Sequence, residues 1–141
     1  MRRVVVLLAA IFLAHPLPAE AETRVISRDQ LEEMFQGLKD GTSWDLSCPL
    51  LWGYFFTDAS SERLRAAAAL LEKEGYRFVD IYPADDDSSS SKPDWWLHVE
   101  RVEHHTVDSL HQRNIELEAF ASSNGLDAYD GMDVGPAQGA Q

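Results

Sequence analysis

Apolar positions recur along this chain in two rhythms, one of three to four residues and one of two. Leu31, Met34, Phe35 and Leu38 follow the first, and Ser27 with Gln30 supplies a capping-box start. A short amphipathic helix is therefore predicted up to Gly41, with a linker reaching Pro49. Leu50 to Phe56, LLWGYFF, is a dense aromatic run that reads as a buried strand. Asp58, Ser60 and Ser61 offer N-caps to a second helix, where Leu64, Ala67, Ala68 and Leu71 make an unbroken apolar stripe ending at Gly75. Tyr76 to Tyr82 alternates again and predicts a strand. Asp85 to Pro93 reads as a loop, since proline cannot continue a hydrogen-bonded ladder. Trp95 to Glu103 is the third strand. Thr106 or Asp108 opens a long helix through Val107, Leu110, Leu117, Phe120 and Ala121, closed by Asn124-Gly125, and a last strand is predicted over Ala128 to Val134.

From Leu50 onward the order is β-α-β-β-α-β. That order predicts an α+β fold of the ferredoxin-like kind, a four-stranded antiparallel sheet with two helices on one face, plus the N-terminal helix. Alternation assigns the faces. Val79, Ile81, Trp95, Leu97 and Val99 belong under the helices, with the charges of Asp80 and Glu100 on the other side. The uncovered side then gathers Phe78, Tyr82 and Trp96, with Tyr54. Two arrangements stay open: this aromatic patch is a contact surface, or the N-terminal helix lies over it.

The start of the chain sets the expected compartment. Met1-Arg2-Arg3, an apolar run from Val4 to Ala14, and Ala19-Glu20-Ala21 have the layout of a secretory signal peptide cleaved before Glu22. The apolar run is too short for a membrane span. A periplasmic or secreted product is expected, with no membrane attachment after cleavage. The predicted division is a leader over 1–21, a helix and linker over 22–49, the ferredoxin-like domain over 50–135 and a tail over 136–141.

Charge narrows the function. The full chain has 12 basic and 24 acidic residues in 141, a net charge of −12; losing Arg2, Arg3 and Glu20 with the leader makes it −13. Such a surface repels nucleic-acid phosphates and attracts basic proteins. RNA-recognition domains share the predicted architecture, but they need a basic rim that this chain lacks. Cys48 is the one cysteine, so no internal disulfide framework exists, and a buried inert thiol is expected.

Catalytic and metal arrangements are weak. His98, His104, His105 and His111 with Glu100 and Glu103 are the best metal candidates, yet no HExxH occurs and the spacing does not bring three ligands together. Ser88 to Ser91 have no structured base beside them, and there is no glycine-rich phosphate loop. Adjacent acids at Asp85, Asp86 and Asp87 lack calcium-loop spacing and read as a solvated hairpin tip. No cofactor and no enzymatic activity are expected.

One stretch carries a resemblance. Tyr54 to Tyr76, YFFTDASSERLRAAAALLEKEGY, resembles the opening of the ribonuclease E inhibitor B (RraB) family. The tryptophan-bearing third strand, the long second helix, Asn124-Gly125 and Tyr129-Asp130-Gly131 are similar to that family's ending. The resemblance covers Leu50 to Val134; Met132 stands where an aromatic is usual, and the first 49 residues have no counterpart. It implies an acidic, non-enzymatic domain that regulates another protein by binding it. The family's type member restrains ribonuclease E in the cytoplasm, a target that an exported protein does not meet. A basic periplasmic partner, such as a secreted toxin or nuclease, fits the charge as well. The predicted partner-binding residues are Asp85, Asp86 and Asp87 at the tip, with Phe78, Tyr82 and Trp96 on the sheet.

Overall fold

A computed structural model describes residues 25–84 and 94–137. The proposed leader and the Asp85–Asp87 tip lie outside the described residues. The elements in chain order are α1 (Arg28–Gly41), β1 (Leu50–Asp58), α2 (Ser61–Lys73), β2 (Arg77–Pro83), β3 (Trp95–Glu103), α3 (Val107–Ser123) and β4 (Ala128–Gly135).

Local chemistry fixes the helix ends. Ser27 Oγ accepts from the Gln30 N–H at 3.2 Å while Gln30 Oε1 accepts from the Ser27 N–H at 2.9 Å, the reciprocal box that satisfies two orphan donors of α1. Thr106 and Ser109 make the same exchange at the start of α3. Ser60 Oγ caps α2 by accepting from the Arg63 N–H. Both α2 and α3 stop at a glycine with positive φ, Gly75 at 96° and Gly125 at 67°. In each, the next N–H turns back onto the helix, Tyr76 to the Leu71 carbonyl and Leu126 to the Ala121 carbonyl. These are Schellman closures, and the side chains of Tyr76 and Leu126 are buried as that motif favours.

The strands form one antiparallel sheet in the order β2-β3-β1-β4. Cross-strand partners share a face, so the register sorts the side chains. Trp52, Tyr54 and Phe56 of β1 stand opposite Arg101, Val99 and Leu97 of β3 and opposite Val134, Met132 and Tyr129 of β4. With Leu64, Ala67, Ala68 and Leu71 of α2 and Leu110, Leu117 and Ala121 of α3 they build the core. This is the expected α+β arrangement, with the helices packed against the sheet.

The N-terminal helix joins the helix layer. α1 packs against α3, buries Leu31, Met34 and Leu38, and sets Phe35 against Trp52 with ring centroids 6.1 Å apart. Arg28 also pairs with Asp108 at the start of α3. Of the two arrangements left open by the sequence, the one that laid this helix over the far side of the sheet is therefore corrected. Trp52 points toward the helices, and α1 follows it.

Two further corrections come from register. β2 shifts register between Phe78 and Asp80, leaving Val79 as the extra residue. Phe78 consequently stands opposite Val99, on the helix side at the sheet edge and 36 % exposed, while Asp80 and Tyr82 face the other way. Tyr54 is 0 % exposed and also faces the helices. Cys48 is exposed rather than buried; its Sγ donates to Asp45 Oδ2 at 3.4 Å in a linker turn, and that bond to the carboxylate raises its pKa.

Candidate protein-docking face

The side of the sheet away from the helices carries a connected row of rings. Tyr82 of β2 and Trp96 of β3 are direct partners and stack in parallel, 6.4 Å between centroids and 6° between planes. Trp96 meets the edge of Phe55 from β1 at 6.2 Å, and Phe55 stacks on its own partner His98 at 4.4 Å. Offset and edge-on contacts of this kind suit the quadrupoles of the rings. On β4 the row meets Gly131, which opposes Phe55 with no side chain and with open space where a Cβ would stand.

Carboxylates border this row. Asp80 stands opposite His98, and Glu100 stands opposite both Gly53 and Arg77. Arg77 forms an ion pair with Glu100, which is 1 % exposed. Asp133 opposes Gly53 from the other side, and a Cβ on Gly53 would collide with Asp133 Oδ1 and His98 Nε2. Glycine at this position is what lets both side chains lie across β1. Burial raises the pKa of the Tyr82 phenol, and the negative charges of Asp133, Asp80 and Asp130 push it the same way. Burial likewise raises the Asp130 carboxyl.

A second polar cluster sits on the helix side, where β3 ends. Glu103 Oε2 accepts from the Tyr54 hydroxyl at 2.8 Å, and Oε1 accepts from Arg113 Nη2 at 2.6 Å. His105 Nε2 lies 3.1 Å from Glu103 Oε2 and 3.0 Å from the Tyr54 oxygen, and its Nδ1 is 2.9 Å from Ser109 Oγ. Burial opposes ionisation of Glu103, but hydrogen bonds from His105, Arg113 and Tyr54 outweigh it and lower its pKa to about 2. Arg101 and Arg113 both lie over the Tyr76 ring, at 5.1 and 5.9 Å. Each member is tied to another, so the cluster reads as a structural lock between β1, β3 and α3. At the opposite end of β1, buried Asp58 accepts from the N–H groups of Ser60 and Asp127 and from Arg63, pinning the start of α2 to the loop before β4.

Residues 28–134 match the family model for RraB, regulator of ribonuclease activity B. The chain belongs to the RraB family. No curated protein matches it. The RraB match begins at Arg28, the first residue of α1, not at Leu50, so the first helix and the linker have family counterparts. That extent agrees with the packing of α1 on α3. An RraB chain is a regulator of ribonuclease activity, a role carried out by contact with protein, which directs attention to surfaces rather than to reactive groups.

On this RraB fold the residues singled out from sequence separate. Tyr82 and Trp96 come together on the far face, with Trp95 turned to the core. Phe78 does not join them. Asp85, Asp86 and Asp87 lie outside the described residues. The histidines also part company: His98 is on the far face, while His105 is buried under the helices. Among the described residues no group of three metal-capable side chains converges, and no helix is long and apolar enough to cross a membrane. Phe55 and Asp133 are the members of the face that sequence reasoning missed. A signal was available, because Phe55 shares its parity in β1 with Gly53 and Thr57, the small and polar positions of an otherwise apolar strand.

Proposed function

We propose that this protein is a non-enzymatic regulator that restrains a ribonuclease by binding it, with the sheet face opposite the helices as the docking surface. The observation that carries the reading is the Tyr82-Trp96-Phe55-His98 row bordered by acids, on the side of an RraB-family sheet away from the helix layer. Rings supply buried area and the acids supply attraction to a cationic partner. The net charge of −12 favours a basic protein as that partner and disfavours direct nucleic-acid binding. The acidic run Asp85, Asp86 and Asp87 would add long-range steering, and the leader-like start supports export to the periplasm.

The test is a cleavage assay in which purified protein is added to ribonuclease E and a model RNA, with binding followed in parallel across salt concentrations. Restraint of cleavage that weakens as salt rises supports the reading. Unchanged cleavage together with no detectable complex would overturn it for that enzyme. Export favours a second reading, inhibition of a basic toxin or nuclease met outside the cytoplasm. Cell fractionation separates the two: recovery with periplasmic markers favours the toxin inhibitor, and recovery with cytoplasmic markers removes it.

A further inference from the structure

We propose that Asn124-Gly125 is a site of spontaneous deamidation, slowed by the closure that ends α3 and unable to rebuild that closure once converted. The inference is independent of the docking reading above.

The chain has two asparagines, and their surroundings differ. Asn114 is 1 % exposed, its Oδ1 accepts from the Tyr129 hydroxyl at 2.6 Å, and it precedes Ile115, whose branched side chain crowds its own backbone nitrogen. Asn124 is the C-cap residue of α3 and precedes Gly125, which is exposed and has no side chain to shield its nitrogen. The reaction needs only water as co-reactant. The Gly125 nitrogen attacks Asn124 Cγ and gives up its proton, the Cγ–Nδ2 bond breaks, and ammonia leaves. Water then opens the resulting five-membered imide to a carboxylate, with nothing oxidised or reduced. Opening at Cγ gives aspartate; opening at the main-chain carbonyl reroutes the backbone through Cβ and Cγ.

The fold holds the reacting atoms apart. Asn124 has φ −102° and ψ 10°, so the Gly125 nitrogen is nearly eclipsed with the nitrogen of Asn124 itself. Ring closure needs it alongside Cβ instead. Asn124 Nδ2 donates to the Phe120 carbonyl at 2.8 Å, and the Gly125 N–H donates to the Ser122 carbonyl at 3.2 Å. Beyond the turn, the Leu126 N–H returns to the Ala121 carbonyl at 2.9 Å, the Leu126 side chain is buried, and the Asp127 N–H donates to Asp58 Oδ1 at 3.0 Å. Attack therefore waits for local opening of the last turn. The product cannot refasten it. A carboxylate has no N–H for the Phe120 carbonyl, and it places negative charge at the end of a helix with no basic residue in its last turn. The rerouted chain also carries an extra backbone atom, which displaces Leu126 and Asp127 from their partners.

The experiment holds the purified protein at mildly alkaline pH, folded and in guanidinium chloride, and follows it by peptide mass mapping with fragmentation. Deamidation raises the mass, whereas isomerisation at Asp40-Gly41 or Asp130-Gly131 does not, so the two are separated. Between the two asparagines, conversion should be confined to Asn124 and should run at least about tenfold slower in the folded protein. Leu126→Ala, which removes the buried anchor of the closure, should bring the folded rate toward the unfolded one. The folded-against-unfolded comparison keeps the test valid if that variant folds poorly. Asn124→Gln, which would have to close a larger ring, should abolish conversion at this position. Asn124→Asp should lower the unfolding temperature at neutral pH, and less so in acid, where a neutral carboxyl can again donate to the Phe120 carbonyl. Equal rates in the folded and unfolded chain would overturn the inference. So would no conversion of the folded protein within about a hundred half-lives of the unfolded chain, or an unfolding temperature unmoved by Asn124→Asp.

Discussion

Glu103 and Asp130 are acids of the same sheet, the first half-buried and the second exposed, and the fold treats them in opposite ways. On the helix side, Glu103 receives donors from Tyr54, His105 and Arg113, and its pKa falls to about 2 despite the cost of burial. Asp130 sits at the irregularity where β4 pairs with β1 between Phe55 and Phe56, and desolvation raises its pKa. A carboxylate that is locked by donors contributes stability; one whose charged form is disfavoured by desolvation costs it. The helix side is thus organised for holding the fold together.

Removing the lock should have the largest effect. Glu103→Ala leaves Arg113 and the Tyr54 hydroxyl without their shared acceptor, and a loss of about 2–4 kcal/mol is expected in urea unfolding. Asp80→Asn on the far face should change the same midpoint by less than about 0.5 kcal/mol; equal losses at the two sites would erase the distinction between faces. The pH profile sharpens the point. Because Glu103 has a lowered pKa in the fold, its contribution is full above the ordinary carboxylate value of 4.5 and drains away as pH falls toward about 2. Glu103→Gln should flatten that acid limb of the stability curve.

Gly53→Ala comes next. Its new methyl would meet Asp133 and His98, so a loss of about 1–3 kcal/mol is expected, measured by thermal unfolding. Negligible loss would mean the far face yields easily. Asp130→Asn should act in the opposite direction and more weakly. A raised pKa means the charged form is disfavoured in the fold, so stability is lost as pH rises through that value, and the neutral amide should gain at neutral pH. A control lies inside α1. Gly37 has nothing within 4 Å of a Cβ, and Gly37→Ala should stabilise by about 0.5–1 kcal/mol without touching either face.

Much of the fold was legible in the chain because its punctuation is local. Ser27 with Gln30, Ser60 and Thr106 act on N–H groups three residues away, and Gly75 and Gly125 act on the turn just finished. The third strand, Trp95–Glu103, was read to the residue, since Pro93 and Thr106 bracket an alternating run. The candidate site was legible only in part. Tyr82 and Trp96 were found by alternation, but the same alternation misplaced Phe78, because a bulge adds one residue and flips everything beyond it. Tyr54 was misplaced because Leu50 to Phe56 is apolar at nearly every position and assigns no face by alternation, while the acceptor of its hydroxyl, Glu103, lies 49 positions away.

Sequence by itself determined where elements begin and end, their order, and the strongly negative charge, since these depend on neighbours a few residues apart or on a sum over the chain. Tertiary structure alone decided which face each ring joins, that α1 packs beside α3, and that Glu103 is locked between Tyr54, His105 and Arg113. Those outcomes depend on strand register and on contacts between distant residues, and no local rule of spacing encodes either.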